Sequence, residues 1–139
     1  MSTLSYRLYH HPLDAPSRRV RLTLAEKGVV CDMVVEKPWD VSSDLRTLNP
    51  SGDVPVLVVE QSKERHVLAD AQAICEYLDE TQAAVTLLGK DPMARAEVRR
   101  LIGWFDGKFQ REVTALLVGE KALKRLQGAG EPDSAMIRA

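Results

Sequence analysis

Pro55 constrains this chain more than any other single residue. Residues 49–57 read Asn-Pro-Ser-Gly-Asp-Val-Pro-Val-Leu. Asn49-Pro50 and Ser51-Gly52 are breaker pairs, so the stretch opens as a turn. It runs directly into Val56-Leu57-Val58-Val59, a short apolar run that reads as a buried strand. Pro55 stands at the mouth of that strand. It has no N–H to give a ladder, so it belongs at a first strand residue or at an edge. An X–Pro bond also lowers the cis penalty to about 0.5–1 kcal/mol. A cis Val54–Pro55 bond would turn the Val54 backbone outward, where its N–H and C=O could pair with an extended peptide ligand. The plain alternative is a trans proline that only starts a strand. Taken with the rest of the chain, the expectation is a cis bond.

The segments around this stretch alternate between strand and helix patterns. Tyr6–Tyr9 alternates as a first strand. Asp14 then begins a helix with apolar positions Val20, Leu22 and Leu24, and Gly28 is placed as the residue after its C-terminus. Residues 29–36 are β-branched and apolar, a second strand that includes Cys31. A loop at 37–42 carries Trp39. Ser43 is placed to cap a short helix ended by Asn49-Pro50. Residues 56–60 form the third strand, 61–65 a polar turn, and His66-Val67-Leu68 a fourth strand paired as a hairpin. Asp70 caps a helix whose apolar face is Ala73, Ile74, Tyr77 and Leu78. The order is β-α-β-α-β-β-α over residues 1–82, and the first βαβ unit implies parallel strands.

After a linker at 83–90, Asp91-Pro92 is an N-cap followed by proline at the first helical position. Val98, Leu101, Ile102, Phe105, Phe109, Val113 and Leu116 recur at three- and four-residue intervals. They describe an amphipathic bundle helix over 92–117 that exposes an apolar face unless something covers it. A shorter helix is expected over 120–126, and another begins at Ser134. Residues 91–139 therefore read as the start of an all-helical domain that is incomplete in this chain.

The 139 residues hold 19 Lys and Arg against 20 Asp and Glu. That near-zero balance, with few aromatics among the basic clusters, argues against a nucleic-acid or membrane partner. No apolar run approaches a membrane span, and residues 1–15 lack a signal-peptide pattern. Cys31 and Cys75 are read as reduced, small hydrophobic residues in a cytoplasmic protein. His10-His11 lacks a third ligand, so no metal site is expected.

The order of elements, with a proline entering the third strand, resembles the thioredoxin fold. Three stretches resemble the N-terminal domain of cytosolic glutathione S-transferases: LYHHPLDAPSRRVRLTLAEKG at 8–28, NPSGDVPVL at 49–57 and LADAQAICEYL at 68–78. Residues 91–139 resemble the opening of that family's helical second domain. More narrowly, HHPLDAPSRRVRL, GDVPVL and VGEKALKRL are similar to the alphaproteobacterial FzlA-like branch of GST-like proteins, which includes a division protein that binds the FtsZ polymer.

The resemblance implies glutathione as substrate or ligand, with no further cofactor. Val54, beside Pro55, would pair with its cysteinyl backbone. Asp70 and Ala71 would receive its γ-glutamyl end at the helix N-terminus. Ala71 stands where the family has a serine, which removes one hydrogen bond worth about 1 kcal/mol. Asp14 occupies the position where family members carry a catalytic serine or cysteine. A carboxylate there repels a thiolate and raises the thiol pKa. As an N-cap, Asp14 would instead accept from the Ser17 N–H, since Pro16 has none to offer. Ser17 and Tyr9 remain as catalytic hydroxyls, with His10 and His11 as further candidates. The implied functions are a transferase conjugating glutathione to an electrophile, or a non-catalytic GST-fold binding protein such as an FtsZ-binding division regulator. The family also implies a homodimer.

Overall fold

The computed structural model describes residues 4–82 and 84–138, and they fall into two compact units, 1–90 and 91–139. In the first unit the strands are β1 (Leu4–His10), β2 (Asp32–Val35), β3 (Val56–Gln61) and β4 (Glu64–Ala69). The helices are α1 (Ala15–Glu26), α2 (Ser43–Leu48) and α3 (Ala71–Thr81). The strands form one sheet in the order β2-β1-β3-β4. β2 lies parallel to β1, with α1 as the crossover; β3 is antiparallel to both β1 and β4. This is the thioredoxin-like arrangement that the element order implies.

Period-two alternation divides the sheet into two faces. Leu57 and Val59 point to one face, where Leu8, Val20, Leu24, Ile74 and Leu78 meet them from β1, α1 and α3. Val56 and Val58 point to the other, where Tyr9 and Leu45 cover them with α2. The Val54–Pro55 peptide bond is cis, and Pro55 is buried.

Several expectations change in detail. The second strand is shorter than 29–36: Val30 is 92% exposed, and Cys31 precedes β2 instead of lying within it. β2 is an edge strand, so only the residues in register with Arg7–His10 are held. Burial pushes the Cys31 thiol up to about 11. The α2 cap is Ser42, one residue earlier than Ser43, and its side chain accepts from the Leu45 N–H. The β3–β4 turn is tighter than 61–65, reduced to Ser62-Lys63 with Ser62 at φ 59.

Leu22 is exposed, because it lies two residues from both Val20 and Leu24 and so about 200° around the helix. On α3 the buried face is Ala71, Ile74, Cys75 and Leu78, while Ala73 faces solvent. Cys75 Sγ lies 3.3 Å from Thr23 Oγ1, joining α3 to α1.

The second unit starts as read, with Asp91 capping α4 (Pro92–Trp104) through the Met93 and Ala94 N–H groups. The helix does not stop near 117, and no separate helix begins at 120. It continues through wider π-helical turns over Phe105–Thr114 and Gly119–Leu123 and ends at Leu126. Gly119 remains helical at φ −55, since a glycine costs only about 1 kcal/mol in a helix interior and does not by itself break one. A short helix follows at Ser134–Arg138. Among the described residues, no helix is long and apolar enough to cross a membrane.

One buried ion pair fastens α1 to α3. Lys27 Nζ lies 2.9 Å from Asp79 Oδ1, and the two side chains are 1% and 3% exposed. Burial alone would raise the Asp79 pKa. The Leu87 N–H, Lys27 and the Leu88 N–H outweigh that and hold it below its usual value. A lowered folded value means that the contribution is complete above the unfolded carboxylate range near ~3.9 and is lost as pH falls through and below it. Stability should therefore be flat in this respect from pH 7 to about 5 and fall below that, and Asp79→Asn should flatten the fall. Replacing Lys27 with methionine leaves Asp79 buried without its cation, and should cost about 3–5 kcal/mol in urea denaturation followed on β3 amides.

Candidate functional site

The site forms where the end of β1, the start of α1, the loop after β2 and the turn before β3 converge. Turn chemistry sets the last of these. The Gly52 N–H donates to the Asn49 carbonyl at 2.9 Å, and Asn49 Nδ2 donates to the Asp53 carbonyl at 3.0 Å. Gly52 sits at φ +77, a conformation that favours glycine, and a Cβ there would also press on Val41 at 3.4 Å. The turn delivers Val54 to the sheet mouth. Its N–H and C=O make no hydrogen bond with the described residues.

Opposite Val54, Asp14 caps α1, and its Oδ2 accepts from the Ser17 N–H at 2.7 Å. The loop after β2 is fixed by Glu36. Its carboxylate accepts from Ser42 Oγ at 2.7 Å and from the Ser42 N–H at 3.3 Å. Ser42 Oγ accepts in turn from Leu45, so one chain of hydrogen bonds ties the loop to the start of α2. Between these parts lies an open cavity of about 140 Å³, lined by Asp14, Glu36, Lys37, Val41, Asp53 and Val54 among others. Its lining includes three acidic residues and one lysine. Glu36 and Asp53 escaped the sequence reading; the polar Glu36-Lys37 break after an apolar strand was the available signal for the first.

Asp70 and Ala71, the residues expected to meet a γ-glutamyl end, lie beside the same mouth. Val56 pairs with Ala69, so the next residue along β4, Asp70, is brought alongside Pro55. Asp70 Oδ1 accepts from the N–H groups of Gln72 and Ala73 at 2.8 and 3.1 Å. Asp70 holds φ 81, a strained value for a residue with a side chain, of the kind concentrated at ligand sites. Ala71 is buried. Register thus brings Val54, Pro55, Asp70 and Ala71 together.

Neither candidate hydroxyl residue, Ser17 or Tyr9, is among those that line the cavity. Ser17 is fully buried, and its Oγ accepts from the His11 N–H at 3.4 Å. Tyr9 is 7% exposed and packs with Leu45, Val56 and Val58. His11 Nδ1 accepts from the Leu13 N–H, and the ring meets Trp39 edge-on at 5.6 Å. His10 is buried, and its carbonyl accepts from the Glu36 N–H. Burial lowers the pKa of both histidines, and the nearby Arg21 charge adds to the effect at His10.

The family model for the glutathione S-transferase N-terminal domain matches residues 16–81. Residues 16–81 belong to the glutathione S-transferase N-terminal domain family. FtsZ-localized protein A of Caulobacter vibrioides is 44% identical over 131 residues, covering 94% of this chain and 58% of that protein. The solved structure of FzlA from C. crescentus superposes with a TM-score of 0.91 at 43% identity, over 96% of this chain and 59% of that one. A glutathione S-transferase from Rhodospirillum rubrum superposes at 0.88 with 48% identity, over 96% and 59%. The chain thus spans under two thirds of the length of each of these GST-like proteins.

Asp14 is the residue of this GST domain whose local role is most easily separated from chemistry. Asp14→Ala should cost about 1 kcal/mol in urea denaturation through loss of the cap, and Asp14→Ser well under that, because serine also caps. Equal losses in the two variants would show that the carboxylate matters for something other than its bond to Ser17.

Proposed function

We propose that this chain serves in a GST-fold binding protein that engages an FtsZ-type division filament, and that its glutathione site does not perform thiol chemistry. The carrying observation is the Asp14–Ser17 cap. The position before α1 holds a carboxylate fixed by a 2.7 Å bond to a backbone N–H. A negative charge there opposes ionisation of a neighbouring thiol. Activation needs a donor or a positive charge. Ser17 and Tyr9, the nearest hydroxyls considered, are both buried. The similarity to FtsZ-localized protein A across 94% of the chain supports the choice of partner. Such a partner places the protein in the cytoplasm, where Cys31 and Cys75 stay reduced.

The second reading is a glutathione transferase, favoured by the Val54 edge beside Asp70 and Ala71 and by the 48% identity to a glutathione S-transferase. In it the Val54 N–H and C=O pair with the cysteinyl backbone, Asp70 faces the γ-glutamyl ammonium, and the Ala71 N–H meets the carboxylate. Thiol activation would then fall to Ser17 or Tyr9 after local opening. A homodimer of the full-length protein belongs to either reading.

Two measurements on the full-length protein separate the readings. Co-sedimentation with FtsZ polymer should be retained in Asp14→Ser, and turnover of glutathione with a generic aromatic electrophile should be at background in the unaltered protein. Turnover well above background that falls in Asp14→Ser, with no co-sedimentation, would reject the binding protein and make Asp14 a catalytic residue. Calorimetric titration of glutathione reports separately whether Val54 and Asp70 still hold the tripeptide.

A further inference from the structure

Val54 offers a backbone N–H and C=O that no described residue takes, at the mouth of a strand paired on both edges. An extended chain laid against it supplies both bonds. A side chain of the residue so paired is within reach of the cavity that Val54 lines.

The lining selects that side chain. Asp14, Glu36 and Asp53 share the cavity with Lys37 as its one cationic residue. Among the described residues, none of the three carboxylates forms an ion pair. Arg46 Nη1 stands 3.7 Å from the place a Gly52 Cβ would take, and it makes no ion pair with them either. Glu36, 6% exposed, is hydrogen-bonded to Ser42, and the Asp14 cap uses Oδ2. The Asp53 carboxylate makes no hydrogen bond with the described residues. The turn holds Asp53 through its backbone N–H and C=O. The cavity therefore keeps negative charge that nothing neutralises. Among the described residues, no acidic cluster converges closely enough to hold a metal ion. Carboxylates set apart in this way suit a guanidinium, whose five N–H donors fan out in a plane, better than a point charge.

We propose that the cavity takes an arginine side chain from an extended segment of the partner, with the backbone of that segment paired to Val54. This rests on the reading of the chain as part of a binding protein, and it gives the partner's contact a chemistry. Asp53 is the residue that selects the charge, because its carboxylate serves no local bond. Asp14 adds charge while it caps α1.

Two blocked tripeptides test this on the full-length protein, with the Val54 amide followed by nuclear magnetic resonance. Ac-Gly-Arg-Gly-NH2 carries the guanidinium, and Ac-Gly-citrulline-Gly-NH2 has the same shape without the charge. The arginine peptide should shift the Val54 amide and bind at least ~tenfold more tightly, the scale of a charge-assisted hydrogen bond. In Asp53→Asn that advantage should fall at least ~threefold. In the unaltered protein it should shrink as salt rises from about 0.02 to 0.5 M. Equal affinities overturn the proposal, and so does the absence of a titratable shift with either peptide. An arginine advantage that leaves Val54 unshifted also overturns it, since the peptide then binds elsewhere. If the Gly52 amide has moved in free Asp53→Asn, the turn is disturbed and the salt series decides: an advantage independent of salt rejects the cavity. Co-sedimentation with FtsZ polymer needs no tripeptide, so the two failures are distinguishable. Retained co-sedimentation with equal peptide affinities rejects the arginine site and leaves the binding protein standing.

Discussion

A strand that is apolar on both sides has to be covered on both sides, and β3 imposes that condition on everything around it. Val56 to Val59 are all at most 2% exposed. Alternation sends Leu57 and Val59 one way and Val56 and Val58 the other, so no single layer of helices can satisfy the strand. α1 and α3 close one face and α2 closes the other. β1 and β4 close the edges of β3 in antiparallel register. The chain enters this enclosed strand through Pro55. Being buried there, Pro55 brings the 49–54 turn, the α1 N-terminus and Asp70 to one place. The site is where it is because the entrance to β3 has to be somewhere on the surface, and a proline fixes which end.

At that entrance, structure and thiol chemistry compete for one position. A helix N-terminus wants an acceptor, and Asp14 supplies it to Ser17. The same charge discourages a thiolate, and two further carboxylates, Glu36 and Asp53, line the cavity beside it. Glu36 is already engaged with Ser42 and serves to hold the loop. What the cleft presents is backbone: Val54 with no hydrogen-bond partner among the described residues, and a capped helix start at Asp70. Neither feature requires a reaction at the site.

The parts of this structure legible in sequence are the ones written by local chemistry. Asp14, Asp70 and Asp91 announce three helix starts because a cap is a bond between residues two or three apart. The strand order follows from β-branched runs and breakers. The failures have a shared physical origin. Leu22 and Ala73 were assigned to buried faces, but helical phase is settled by what packs on the helix, and α1 and α3 pack chiefly on each other and on the sheet. Cys31 and Val30 have strand-like side chains, but the partner strand does not extend to them. The helix expected to stop at 117 runs on to Leu126, where a separate helix over 120–126 is expected from the sequence. Lys27–Asp79 and Thr23–Cys75 each join residues 52 apart, and no spacing rule reaches that far. Glu36–Ser42 is nearer, but the loop between them has no period to read.

The second unit poses the energetic question that the first unit answers with its two cores. No residue of Pro92–Trp104, Phe105–Thr114 or Ala115–Val118 is buried. Its internal devices are small. The Arg100–Glu97 and Lys108–Glu112 pairs are exposed, and surface pairs of this kind add little. Trp104, Phe105 and Phe109 pack ring on ring at 4.9 to 5.6 Å and spare some apolar area. Glu120 does more, accepting from both Lys124 and the Asp133 N–H and so pinning the loop after the helix. None of these covers Met93, Leu101, Trp104 or Phe105, which are 42–78% exposed. Helices in proteins draw most of their stability from a packed face and little from propensity. A row of exposed apolar side chains at bundle spacing therefore marks a surface whose free energy is lowered by being covered.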